Sequence, residues 1–187
     1  MKTLVFFGSA RKKGHTKDLL NMVLKDLNGE VEIVDAYRTE ISPCIDCRYC
    51  WENRGCSIND YMQKVYPKID EADNIIFASP LYFNNVPGPL KSIIDRCQVY
   101  WASRKRKQEK NIKDKNALLL ICGGAPSYNN QFLAIELVLK GILKDLNAEL
   151  VGNIYVPNTD KVSVLENKNV LKKASELGLK LKNLYND

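Results

Sequence analysis

The 187 residues carry 28 Lys and Arg against 22 Asp and Glu, a formal net charge of +6, and 45% are hydrophobic, which fits one domain spanning 1–187 with one core. No run of about 18 apolar residues occurs, and the opening MKTLVFFGSA lacks the apolar stretch and cleavage site of a secretory leader, so neither a membrane partner nor export is expected. Six cysteines, four of them within thirteen residues, do not resemble the dispersed framework of a secreted domain, and the expected location is the reducing cytoplasm.

The first apolar run, Leu4 to Phe7, reads as a strand and is followed by Gly8-Ser9-Ala10-Arg11-Lys12-Lys13-Gly14-His15-Thr16. A helix is expected from about Thr16, with Leu19, Leu20, Val23, Leu24 and Leu27 on its apolar face. Backbone amides at a helix start, two hydroxyls and an arginine make a receptor for a phosphate. Neither G-x-G-x-x-G nor a Walker lysine is present, so a monophosphate suits this loop better than a dinucleotide or a nucleoside triphosphate. The competing reading is that Ser9 and Thr16 only cap the helix. His15, the single histidine, is expected to solvate a phosphate or face water rather than act as a base.

A second strand at Val31 to Val34 leads into Cys44-Ile-Asp-Cys47-Arg-Tyr-Cys50-Trp-Glu-Asn-Arg-Gly-Cys56, a C-x2-C-x2-C-x5-C spacing. Three thiolates at every third residue and a fourth after a short loop can surround one [4Fe-4S] cube. Zinc, free redox-active thiols or a disulfide remain open on the spacing alone.

A weaker helix near Asp60 to Ile69 precedes the third strand, Ile75 to Ala78, and a further helix carries Leu90, Ile93, Ile94 and Cys97. Between them lies Ser79-Pro80-Leu81-Tyr82-Phe83-Asn84-Asn85-Val86-Pro87-Gly88, which can offer a flat apolar wall and backbone amides to a planar ring. Ordinary core packing is the competing reading for Tyr82 and Phe83, and Asp95 with Arg96 reads as a helix-end ion pair. A basic run follows at Arg104 to Lys107, Lys110, Lys113 and Lys115. It reads as a solvated loop or a contact for an acidic partner. With no reader motif beside it, nucleic acid is not expected.

The fourth strand, Leu118 to Ile121, ends in Cys122-Gly123-Gly124, where two residues without side chains allow close approach of main chain to a planar ligand. Cys97 and Cys122 read as core thiols. A helix with Phe132, Ile135, Val138, Leu139 and Ile142, a fifth strand at Leu150 to Val156 and a final helix with Leu171, Ala174, Leu177, Leu181 and Leu184 complete the chain. Five buried strands alternating with five helices predict an α/β three-layer sandwich of flavodoxin-like type. Its parallel sheet has the order 2-1-3-4-5, with helices on both faces and ligands at the carboxyl ends of the strands.

Taken together, G-S-x-R-x-x-G-x-T after the first strand and S-P-x-Y…P-x-x-L-K-x-x-x-D-R after the third resemble the NADPH-dependent FMN reductase family and, most of all, its iron-sulfur flavoprotein branch. The resemblance implies an FMN-dependent oxidoreductase. Ser9, Arg11, Gly14, His15 and Thr16 would surround the FMN phosphate, Pro80, Leu81, Tyr82, Phe83, Asn84 and Asn85 would run along the isoalloxazine, and Gly123 and Gly124 would face it. Cys44, Cys47, Cys50 and Cys56 match the branch's motif for one [4Fe-4S] cluster beside FMN. The reductase branch implies NAD(P)H as electron source, the iron-sulfur branch implies ferredoxin, and the family implies a homodimer or homotetramer. No catalytic dyad is required, since the chemistry belongs to the flavin. The alternatives are a cluster-free NAD(P)H-dependent FMN or quinone reductase, a flavodoxin-like electron carrier, against which the +6 charge and the cysteine loop argue, and a zinc-stabilised binding module.

Overall fold

Alternation along three apolar strands sets the architecture. In the computed structural model, which describes residues 1–106 and 112–186, Leu4 and Phe6 share one face with Ile75, Phe77, Ala117, Leu119 and Ile121. Val5 and Phe7 share the other with Ile76, Ala78, Leu118, Leu120 and Cys122. Residues two apart point to the same side of a pleated strand, so a strand covered on both faces must be apolar throughout. These runs form β1 (Lys2–Phe7), β3 (Asn74–Pro80) and β4 (Lys115–Cys122), the centre of one sheet flanked by β2 (Glu30–Asp35) and β5 (Ala148–Val156) in the order β2-β1-β3-β4-β5. All four neighbouring pairs are parallel, as the sequence leads one to expect. The edge strands correct the expectation of five buried strands: β2 buries only Val34, because one of its sides has no neighbour.

Helices α1 (His15–Leu24) and α7 (Lys168–Asn186) cover one face of the sheet through Leu19, Leu20, Val23, Ala174, Leu177 and Leu181. The opposite face carries α3 (Met62–Glu71), α4 (Gly88–Arg96) and α6 (Leu133–Asp145), with α5 (Gln98–Lys105) continuing from α4 through Cys97. A single turn, α2 (Tyr49–Glu52), lies inside the cysteine segment, and a 3-10 turn spans Val164–Glu166. The elements beyond the five expected helices are short or, in α5, run straight on from a neighbour whose apolar pattern hides the break. None of the described helices is long and apolar enough to cross a membrane.

Arg96 departs most from its expected role. It does not pair with Asp95, which is bonded to Lys91 one turn earlier. Its side chain is fully buried, with Nη1 2.7 Å from Asp60 Oδ2 and Nη2 3.0 Å from Asp60 Oδ1. The same two nitrogens donate to the carbonyls of Ser42 and Ile58, the residues that flank the cysteine quartet. The Asp60 carboxylate in turn accepts from the Ser42 and Met62 amides. One planar five-donor group thereby closes both ends of a 26-residue connection, residues 36–61, onto α4.

The basic run is also less free than its sequence suggests. Arg104 pairs with Asp145 and Lys113 with Asp73, while Lys115 is buried and donates to the Lys113 carbonyl. Lys107 and Lys110 lie outside the described residues.

Burial pushes the Asp60 carboxyl up, but the Arg96 hydrogen bonds, the two amides and the Arg96 charge outweigh it, and the folded value lies below the usual carboxylate range. A carboxylate with a lower pKa folded than unfolded stabilises the fold above its unfolded value and loses that contribution as pH falls through the folded one. Asp60→Asn is therefore expected to cost about 3–5 kcal/mol at neutral pH, because Arg96 is left buried without its counter-charge. The gap to the parent protein should close below about pH 4. Urea denaturation across pH measures both quantities, and a gap that stays constant down to pH 3 contradicts the assignment.

Candidate functional site

Because the sheet is parallel, the connections after β1, β2, β3 and β4 all leave from one edge, and the direction of winding reverses between β1 and β3, where open α/β sheets place their ligands. Backbone hydrogen bonds lace this edge together: Gly8 N–H to Ala78 O at 2.8 Å, Ala36 N–H to Phe7 O at 2.9 Å, and Leu81 N–H to Cys122 O at 2.8 Å. The three segments assigned to a flavin, residues 9–16, 80–85 and 123–124, therefore share one rim.

At the first segment, α1 begins at His15 with Gly14 as N-cap at φ 140°, a conformation that costs a glycine least. No side chain caps the helix, so neither Ser9 nor Thr16 serves as its cap, and the first-turn amides are left open to an anion. Ser9 Oγ accepts from the Arg11 amide, whose side chain is exposed. Thr16 is buried, and its hydroxyl meets the Cys122 thiol rather than the loop. His15 Nδ1 is buried with no hydrogen-bond partner among the described residues. Such a group is costly unless a ligand or water satisfies it.

The second segment forms a tight hairpin. Tyr82 and Asn85 exchange both backbone hydrogen bonds, at 2.9 and 3.0 Å, around Phe83 at φ 47° and Asn84 at φ 62°. Two positive φ values define a type I′ turn, which favours Asn and Gly, so a phenylalanine there is strained by about 1–2 kcal/mol. Core packing does not account for the strain: Phe83 is 105% exposed and Tyr82 48%. The Tyr128 hydroxyl, from the connection after β4, donates to Asn84 Oδ1 and fixes the turn. Tyr37, from the connection after β2, is half-exposed on the same rim, and burial and then the neighbouring Tyr82 hydroxyl push its own hydroxyl up in pKa. Tyr37 and Tyr128 carry no motif of their own; their place after the ends of β2 and β4 is the signal that points to them.

At the third segment the two glycines are closely packed by the protein's own side chains. A Cβ on Gly124 would lie 2.5 Å from Asp160 Oδ2, and one on Gly123 would lie 3.1 Å from Gln131 Nε2. The missing side chains make room for the protein's own polar groups. Thr159 closes the arrangement, donating from its amide and hydroxyl to the Gly123 carbonyl.

The cysteine segment sits beside this rim, after β2. Cys44, Cys47, Cys50 and Cys56 line one small cavity whose wall includes Arg96. Asp46 at φ 48°, Arg48 at φ 59° and Gly55 at φ 80° bend the chain around it. Burial, and then the charges of Cys56, Cys44 and Cys47, push the Cys50 thiol up. Cys47 goes the other way, held below the ordinary thiol range by Ser57, whose Oγ is 3.2 Å from its sulfur, and by the Tyr49 amide. Among the described residues, no three of these side chains converge as closely as ligands of a single metal ion do. Cys97 and Cys122 are buried, as expected, and burial pushes each up to about 12.

In iron-free protein, Ellman's reagent is expected to titrate four thiols rapidly and the remaining two only after denaturation, since thiolate fraction and access set the rate. Iodoacetamide should label Cys47 first, and Ser57→Ala should slow that labelling. Mass spectrometry of the digested protein reads both, and equal labelling of all six cysteines would contradict the geometry.

Comparison with known proteins identifies the chain's relatives. The profile of the family described as NADPH-dependent FMN reductase matches residues 1–157. An iron-sulfur flavoprotein from Methanocaldococcus jannaschii is 36% identical over 100 residues, 51% of this chain and 51% of that protein. One from Archaeoglobus fulgidus is 29% identical over 170 residues, 89% of this chain and 81% of that protein. The matched stretches span about half to two thirds of the length of the first curated relatives. Among solved structures, an NAD(P)H:quinone oxidoreductase from Methanothermobacter marburgensis superimposes with a TM-score of 0.77 at 20% identity over 97% of this chain and 96% of that one, and so shares the fold. The chain belongs to the NADPH-dependent FMN reductase family.

Proposed function

We propose that the protein is an FMN-dependent oxidoreductase that takes electrons from a reduced nicotinamide or from ferredoxin and passes them to an acceptor. The observation that carries this reading is the uncapped start of α1, with the orphaned, buried Nδ1 of His15 beside it, on the same rim as the strained Tyr82–Asn85 turn. An anion answers the first feature and a planar ring the second. The residues fit FMN on those grounds. The α1 amides, Ser9, Arg11 and His15 hold the phosphate, the helix dipole and the guanidinium opposing its charge. Pro80, Leu81 and Tyr82 give the ring one wall, and Gly123 and Gly124, packed against Gln131 and Asp160, give the opposite corner its shape. Bound FMN supplies hydride and single-electron chemistry, and the protein's part is to hold, orient and tune it.

The cysteine quartet is read as the holder of a [4Fe-4S] cluster. Four soft thiolates around one cavity suit iron and sulfide. A zinc ion draws four sulfurs to about 2.3 Å from one point, whereas a cube binds each sulfur to a different iron. The outer surface of this segment carries Arg48 over Trp51, Trp51 against Trp101 at 5.5 Å, and Lys105 over Trp101. The exposed Trp51 and half-buried Trp101, with cations over them, suit an acidic redox partner such as ferredoxin.

Purified protein is expected to be yellow and to hold FMN one to one. Arg11→Ala is expected to weaken FMN by about tenfold while leaving riboflavin binding unchanged, because only the phosphate contact is removed. Flavin fluorescence titration measures both, and equal losses for the two flavins would contradict the phosphate assignment. Anaerobic preparation should yield about four iron and four sulfide per chain. Iron-free protein that cannot be reconstituted with iron and sulfide, its four loop thiols still titratable, would reject the cluster and leave a cluster-free reductase as the reading.

A further inference from the structure

The Arg96 side chain has one donor left over. Its Nη1 and Nη2 groups are engaged by the Ser42 and Ile58 carbonyls and by both oxygens of Asp60. Nε is buried and has no hydrogen-bond partner among the described residues. The residue is 1% exposed, and an unsatisfied donor on a charged group at that depth is costly unless an acceptor arrives. The Tyr66 hydroxyl stands beside the guanidinium, but it gives its proton to the Arg96 carbonyl.

The surroundings of the guanidinium indicate where that acceptor belongs. Arg96 lines the cavity of the four cysteines together with Ser57 and Ile58. Cys56 is held against this wall from two sides: Arg96 Nη2 donates to the carbonyl of Ile58, two residues on, and Gln63 Nε2 donates to the Cys56 carbonyl at 3.0 Å. The charge of the Cys56 sulfur also acts on the guanidinium. Asp60 is not part of that wall; it lines a separate open groove with Arg38, Thr39 and Lys64. The buried ion pair is therefore oriented, its positive end toward the sulfurs and its negative end away from them. Asp46 and Arg48, the other charged residues of the cavity, are exposed and pair with each other, so solvent screens them.

We propose that Arg96 sets how readily the cysteine quartet's cluster takes an electron: its Nε–H donates to the Cys56 sulfur, and its charge favours the reduced state. The inference rests on the reading of the quartet as a cluster holder and adds to it the residue that tunes the potential. Reduction adds one electron from an external donor, with no bond made or broken and no proton taken up. The added negative charge spreads over the sulfurs, where a fixed cation and a hydrogen bond in a water-poor wall stabilise it.

The parent protein, prepared anaerobically with its iron and sulfide and reduced with dithionite, is the first sample. With nitrogen-15 arginine incorporated, electron–nuclear double resonance of the reduced cluster should show a weakly coupled nitrogen-15 nucleus. Arg48→Lys, at an exposed position, should leave the coupling in place, and Arg96→Lys should abolish it. Redox titration then compares two variants of opposite sense. Asp60→Asn leaves the Arg96 charge without its partner and should favour reduction about tenfold, whereas Arg96→Met combined with Asp60→Asn removes both charges and the donor and should disfavour it about tenfold. Each is a shift of about 59 mV for a one-electron couple. A segment merely loosened by the loss of its anchor would move both variants the same way.

A parent protein that holds no iron after reconstitution overturns the cluster and this inference with it. A reduced cluster without nitrogen-15 coupling, or with a coupling that Arg48→Lys removes, overturns the role of Arg96 alone. Shifts of the same sign in the two variants, or no shift in either, do the same. The coupling is read on the parent chain, so it decides the question even where the variants fail to fold.

Discussion

The buried contact between Arg96 and Asp60 is what the site depends on. The sheet and its helices need no help from it, since apolar faces on both sides of β1, β3 and β4 account for their packing. The long connection after β2 is different. Its residues from Ser42 to Ser57 are almost all exposed, and a chain with so little buried surface does not hold a conformation by hydrophobic contact. Two carbonyls and one carboxylate, gathered by a single guanidinium, supply the missing constraint. Arg96 lies at the end of α4, and α4 starts just after the Tyr82–Asn85 turn. One helix therefore ties the cysteine cavity to the flavin rim.

The rim itself is built from elements that conflict locally with their own preferences. A helix start without a side-chain cap, a buried imidazole nitrogen without a partner and an aromatic residue at positive φ are each unfavourable taken alone. All three occur on one edge of the sheet. Along the core the strands alternate cleanly, and exposed charges pair along helices, as in Lys91 with Asp95 and Lys140 with Glu136. Natural sequences depart from local consistency mainly where a ligand or reaction requires it.

What the sequence discloses follows the same division. The five strands, their order and the edge that carries the loops are legible because period-two alternation and parallel crossovers leave few choices. The phosphate loop and the turn after β3 are legible as motifs. The role of Arg96 is not, because its partner, Asp60, is 36 residues away, and a residue beside Asp95 on a helix suggests the nearer pairing. The glycine pair Gly123-Gly124 is visible in the sequence, but the groups that crowd it, Asp160 and Gln131, come from later segments. The exposure of Phe83 is equally hidden, because an aromatic residue after a buried strand ordinarily continues the core.

Arg96 and Gln63 hold the cysteine segment through its main-chain oxygens, at Ser42, Cys56 and Ile58. Every residue type presents the same carbonyl. An anchor of that kind is blind to the side chains it carries, and it specifies the path of the segment while leaving its chemistry to whatever residues lie along it. The α/β frame acts here as a socket, in which cysteines can be gained, lost or respaced without rewriting the core beneath them.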